Sequence, residues 1–400
     1  MSLDLTKVAA QVGNMVARLK ASGEQRQKRL QSALNTLNDK SLDTEKLKQK
    51  IEASQTTWLL AGLVDGLNPR YKAPPLPADF SVLATDGSHI DVDRHQSTRC
   101  YLINIGAVAL SYGANPDAFL DSTPALYFGE EDLIIAPANG GRPQPIEGTL
   151  LGIKRAVDEC RRLAELAKEL PKESEALALV DGSLILWGLA GETYPKFVTE
   201  ALLSNGFLRH LEEIRKLNAE RRLALASYIS FPRSTDVVNS LRVALCPHDI
   251  IDTDKLCGDC KTRQCEAVAG VQDRELFESI LEEGERSALF SSQSKIVKDN
   301  YGGHWVHFFY MRTDGEIARV EIPQWVARDQ SRLELTHGLV LDQCRRGQGY
   351  PVALAEAHEQ AVVTGADREN FWQLVESLMI GEHLPTPTSA KSFSKRTRWV

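Results

Sequence analysis

The 400 residues contain no apolar run long enough to cross a bilayer, and the N-terminus, Met1-Ser-Leu-Asp-Leu, lacks the basic region and apolar segment of a secretory signal. A cytoplasmic location is expected. The Gly-x-x-x-x-Gly-Lys-Ser/Thr phosphate loop is also missing, so any nucleotide-driven motor must be a separate protein. Nor is there a basic excess. The 47 Lys and Arg against 54 Asp and Glu leave a formal net charge of −7, which excludes a protein that coats nucleic acid over its whole surface. Local basic patches remain open, and Lys391, Lys395, Arg396 and Arg398 make one in the tail. Cysteine is scarce, yet four of the seven, Cys246, Cys257, Cys260 and Cys265, fall within twenty residues. In a reducing compartment that spacing points to a structural metal, zinc or an iron–sulfur cluster, rather than to disulfides. Because a second Cys-x-x-Cys is missing, the metal stays open.

What is present reads as a globular chain, 42% hydrophobic and 25% charged. Apolar residues at helical spacing, Leu5, Val8, Val12, Val16 and Leu19, then Leu30, Leu34 and Leu37, then Leu47 and Ile51, predict two or three helices in an N-terminal region, residues 1–67. Such a stripe outside a main domain suits an oligomer or partner surface. Asn68-Pro69 and the Pro-rich run after Ala73 make a linker, 68–79. A main domain over 80–380 follows, carrying the cysteine-rich insertion 246–265, and a basic tail closes the chain at 381–400.

The chemistry concentrates in two echoing stretches, Ala-Thr-Asp-Gly-Ser-His at 84–89 and Leu-Val-Asp-Gly-Ser-Leu at 179–184. Each follows an apolar run and ends in Asp-Gly-Ser, so Asp86 and Asp181 are both expected at strand tips where the backbone turns. Two carboxylates on neighbouring strands form a hard-oxygen site for Mg²⁺ or Mn²⁺. A hairpin partner strand is predicted from Arg99 to Leu110, and a long helix from Pro145 to Leu170. Near the C-terminus Gly349-Tyr350-Pro351 launches a helix with His358 about two turns inside it, which puts Tyr350 and His358 near one face. His358 can bind a metal ion or protonate a leaving oxygen.

With Gly349-Tyr350-Pro351 and Ala355-Glu356-Ala357-His358, the two Asp-Gly-Ser stretches resemble the NurA-type nuclease domain of DNA end processing, over about Phe80 to Phe371. The resemblance implies an α/β, RNase H-like mixed sheet flanked by helices, here with the added N-terminal helical region. It implies a homodimeric, Mn²⁺- or Mg²⁺-dependent 5′-to-3′ exonuclease and single-strand endonuclease. The enzyme would act on DNA in double-strand-break repair, docked on a HerA-type hexameric ATPase. Asp86, Asp181, a helix glutamate and His358 would be the metal ligands, with Tyr350 beside them. Spacing favours Glu159 as the helix acid, since 22 residues before Asp181 allow about three turns, a loop and a strand; Glu147 is the rival. Lys295 or Lys298 could touch a phosphate. Two other readings share the fold, a noncatalytic scaffold for DNA or the ATPase and an RNA-directed nuclease.

Overall fold

The computed structural model describes residues 3–92, 98–191 and 193–384; the basic patch of Lys391, Lys395, Arg396 and Arg398 lies outside them. The chain forms two compact units interleaved in sequence, one of residues 1–72, 230–294 and 307–319, the other of 73–229, 295–306 and 320–400.

The second unit is built on a mixed sheet. Its strands are β1 (Phe80–Ile90), β2 (Tyr101–Tyr112), β3 (Asp117–Tyr127), β4 (Glu175–Asp181) and β5 (Arg222–Ile229), in the order β3-β2-β1-β4-β5. The first three form an antiparallel meander, with Phe80 opposite Tyr112 and Ile90 opposite Leu102. The β1–β4 and β4–β5 pairs are parallel. Antiparallel neighbours can follow one another directly in the chain, whereas the parallel step to β4 requires a crossover. Helix α1 (Thr149–Glu169) supplies it. The sequence of β4, Glu-Ala-Leu-Ala-Leu-Val-Asp, is buried from Ala176 to Val180, the continuous apolar run expected of a parallel strand covered on both faces.

Helix α1 buries Leu150, Ile153, Val157, Leu163 and Leu166, spaced to form one apolar stripe, against Leu83, Ala178 and Val180 of the sheet. Each fully buried aliphatic side chain of this kind is worth about 1.5–3 kcal/mol, so this stripe fixes the helix to its face. Helices α2 (Gln330–Arg346) and α3 (Val352–Ala361) follow, with a further helix at Gly365–Gly381, and α3 lies against β1 and β2. A short helix, Gln324–Ala327, precedes α2 and is separated from it at Asp329, whose side chain accepts from the Arg332 amide and starts α2 afresh.

In the first unit the N-terminal region forms two helices, within the two or three expected, and the first is long, Leu5–Leu37. Only its C-terminal end is buried, at Ala33 and Leu37, beside Leu47 and Ile51 of the helix Thr44–Ala53. Strand Ala61–Leu63 pairs antiparallel with Phe290–Ser292, over a core containing Phe277, Phe290, Phe308 and Tyr310.

Candidate active site

Asp86 is not at a strand tip. It lies inside β1, opposite Gly106 of β2, and the strand continues four residues beyond it. Asp181 does end its strand, and Gly182 turns the chain at φ +79°. The two Asp-Gly-Ser stretches thus use glycine for different reasons. Gly87 stays extended, and a Cβ there would stand 2.6 Å from Glu159 Oε1 and 2.8 Å from Arg155 Cγ. It is glycine so that α1 can bring a carboxylate against the sheet. Gly106 plays the same part on the opposite face, where a Cβ would collide with the Ala357 carbonyl and the Ala361 amide of α3.

Side-chain hydrogen bonds then hold both helices. Thr85 donates its hydroxyl to the Glu159 carbonyl at 3.0 Å, fastening α1 at the acid itself. Asn104 donates to the Gln360 and Ala361 carbonyls at 3.2 and 3.0 Å, closing the end of α3 onto β2. Buried Gln343 accepts from the Ala353 amide at 3.1 Å and so fixes the start of α3. His358, between these clamps, meets Asp86 with Nδ1 2.7 Å from Oδ2. Tyr350, on the turn before α3, donates its hydroxyl to Asp181 Oδ1 at 3.0 Å, and its ring stands edge-on to Tyr228.

Asp86 and Asp181 each follow the last paired residues of β1 and β4, Thr85 and Val180, so they are neighbours across two parallel strands. Glu159 completes the cluster. Burial pushes it up to about 8, the charges of Asp86 and Asp181 push the same way, and Arg155 opposes them. Arg155 Nε lies 3.0 Å from Glu159 Oε1, yet that buried oxygen receives no hydrogen bond of good geometry. Asp181 sits at the exposed end of its strand, where desolvation still raises it; the charge of Asp86 adds to this, against the Tyr350 and Gly182 hydrogen bonds and His358.

The structure brings together Asp86, Glu159, Asp181, Tyr350 and His358, the residues that the motifs and the family resemblance single out. Glu147 stands apart, before α1, with its carboxylate paired to Arg99 at 3.0 Å. Lys295 and Lys298 are exposed on a short helix, Lys295–Asn300. Arg155 was missed, although its place four residues before Glu159 put it on the same helix face.

A buried, repelled carboxylate whose oxygen is left unbonded, beside two aspartates, is a donor set that fits a hard divalent cation. The side chains are not drawn in around one: among the described residues, no three His, Cys, Asp or Glu groups are closed to coordination distance. The same holds for Cys246, Cys257, Cys260 and Cys265 in the first unit. All four are free thiols, and Cys265 is raised by burial and, more weakly, by the other three.

The NurA domain family matches residues 80–363, the span that carries every one of the clustered side chains. The chain belongs to the NurA domain family. That places it in a nuclease family, on a mixed sheet flanked by helices. Among solved structures, LC9-RNase H1, a type 1 RNase H with the type 2 active-site motif, is similar at 8% identity and a TM-score of 0.20. That similarity spans 42% of this chain and 71% of the other. No curated protein matches the chain. Among the described residues of this NurA protein, no helix is long and apolar enough to cross a membrane.

Proposed function

We propose that this NurA domain is a divalent-metal-dependent DNA nuclease in which Asp86, Glu159, Asp181 and His358 hold the ions. The observation that carries the reading is Glu159, a carboxylate sealed between sheet and helix with two aspartates beside it and too few donors to satisfy it. Divalent ions at such a site supply Lewis-acid activation of water and of the scissile phosphodiester. The chain's own part is orientation. Tyr350 fixes the Asp181 carboxylate by donating to its Oδ1, and the Asn104 and Gln343 clamps set the depth of His358. His358 is the exposed member of its pair with Asp86, and its other ring nitrogen would either hold an ion or deliver a proton to a departing 3′ oxygen.

Family resemblance supports the finer reading. The activity is 5′-to-3′ exonuclease with single-strand endonuclease, Mn²⁺ is preferred over Mg²⁺, and the protein works in DNA end resection as a homodimer with a HerA-type ATPase. The acidic net charge fits a subunit that needs an encircling partner for processive digestion. End-labelled single-stranded DNA, double-stranded DNA and RNA, each incubated with Mn²⁺, Mg²⁺ or EDTA, test the core of it. Shortening of DNA from the 5′ end with Mn²⁺ and none in EDTA is expected. Cleavage that survives EDTA, or that is confined to RNA, overturns the assignment.

A further inference from the structure

Beyond Asp181 the chain is held more firmly than a surface loop requires. Glu321, 1% exposed, accepts from the Ser183 hydroxyl at 2.8 Å and from the Leu184 amide at 2.9 Å. Ser183 Oγ accepts in turn from the Ile185 amide at 3.0 Å. Buried Tyr301 donates its hydroxyl to the Leu184 carbonyl at 3.0 Å and accepts from the Leu186 amide at 2.9 Å. Leu184, Ile185 and Leu186 are themselves buried. Residues 183–186 are thus fixed from every side, and the residue they deliver is Trp187, which keeps 41% of its surface exposed.

The mount is close to the acids. Trp187 opens a short 3-10 turn, Trp187–Leu189, and a Cβ on the next residue, Gly188, would stand 2.9 Å from the side chains of Ile153 and Thr149 on α1. Ile153 precedes Glu159 by six residues on that helix, about 9 Å along its axis at 1.5 Å per residue. A tryptophan whose approach chain is already fixed loses less freedom when its ring meets a flat partner, and every nucleic-acid base offers a π-face.

We propose that Trp187 is a stacking platform for a base of single-stranded DNA, a few nucleotides from the phosphodiester at Asp86, Glu159 and Asp181. Glu321 and Tyr301 are positioning residues for it. The proposal rests on the nuclease reading and deepens it, since it makes unpaired strand, not duplex, the form that reaches the acids. The ordinary alternative is a surface tryptophan with no ligand.

Binding separates the two. Fluorescence anisotropy in EDTA compares a short oligo(dT) with an abasic oligonucleotide of the same length, using the full-length protein and its Trp187→Ala and Trp187→Phe variants. Wild type should prefer the base-bearing strand by about fivefold or more, the range of one stacked base. Trp187→Ala should bring that ratio close to one, and Trp187→Phe should keep most of it. A wild-type ratio of one, or a ratio that Trp187→Ala leaves intact, overturns the stacking. Cleavage of the same oligo(dT) by wild type with Mn²⁺ is read in parallel. Its absence sinks the nuclease reading, while the binding ratio still decides the role of Trp187.

Discussion

Each unit buries acidic side chains, and the two groups are treated differently. In the first unit Asp236 is 6% exposed and Asp273 fully buried. Asp236 accepts from Arg319 Nη1 at 2.9 Å, and that guanidinium lies 3.6 Å over the Phe308 ring. Asp273 accepts from the Val237 and Val238 amides at 3.1 and 2.9 Å and from the Tyr310 hydroxyl at 2.7 Å. Burial and the charge of Asp236 raise Asp273 to about 6, and the hydrogen bonds hold it there. In the second unit Glu159, at about 8, has one imperfectly aligned arginine and an unbonded oxygen. The first group is complete within the fold, which marks it as structural. The second is left electrostatically incomplete, which is what a site for an external cation requires.

The sharpest break between the two groups is in activity. Asp86→Asn and Asp181→Asn should abolish cleavage of end-labelled DNA while thermal unfolding stays close to wild type, because neither carboxylate is cut from a satisfied network. Full turnover in either variant would end the metal-site assignment. Glu159→Gln should lose cleavage as fully, and Glu147→Gln should stay within about twofold, as a surface change does.

Next comes stability. Arg319→Met leaves Asp236 buried and unpaired, so denaturant unfolding should show a loss of about 3–5 kcal/mol. A loss no larger than that of an exposed arginine would place the first group in the same class as the second.

The pH dependence then separates the two without assaying turnover. An unfolded glutamate ionises near 4.5, whereas folded Glu159 keeps its proton to about 8. The folded state therefore binds the extra proton, and the stability this contributes is full below 4.5 and is lost as pH rises through about 8. Asp273 behaves alike, over the window from its ordinary 3.8 to about 6. In EDTA, stability should fall with pH over both windows. Glu159→Gln should flatten the part between 6 and 8, reduce the slope between 4.5 and 6 to the share of Asp273, and spare the part below 4.5. A slope unchanged by that substitution would show that Glu159 is not the group titrating.

Among the residues of the site, the smallest effect is expected from Tyr350→Phe. It removes one hydrogen bond to a charged acceptor, worth about 1.5–3 kcal/mol, so cleavage should fall by roughly ten- to a hundredfold. A rate equal to wild type would leave Tyr350 as a packing partner of Tyr228.

Much of the second group was legible in the sequence because its members are chemically conspicuous: two Asp-Gly-Ser stretches, a glutamate in an apolar helix, a histidine two turns into another. The sheet was legible where patterns are strong, as in the unbroken apolar run of β4. Strand β3 was not, since Pro124 and its outward-facing side chains hide the alternation. The first Asp-Gly-Ser misled because a glycine that admits a helix reads the same as one that makes a turn. Glu321 escaped for a related reason: a charged residue whose partner lies on another element carries no local pattern, whereas Arg155 did carry one in its i, i+4 spacing to Glu159. The first unit's network, Asp236, Asp273, Tyr310 and Arg319, joins residues distant in sequence and leaves no periodic trace.

The missing side chains at Gly87 and Gly106 set a gauge for the site's thickness. Two helices are held against opposite faces of one strand pair at separations that a single methyl group would spoil. Mutational tolerance should therefore be as narrow at these two chemically silent positions as at the acids. A scan of all substitutions would find residues that touch no substrate yet admit a single amino acid, because what they contribute to the chemistry is empty space.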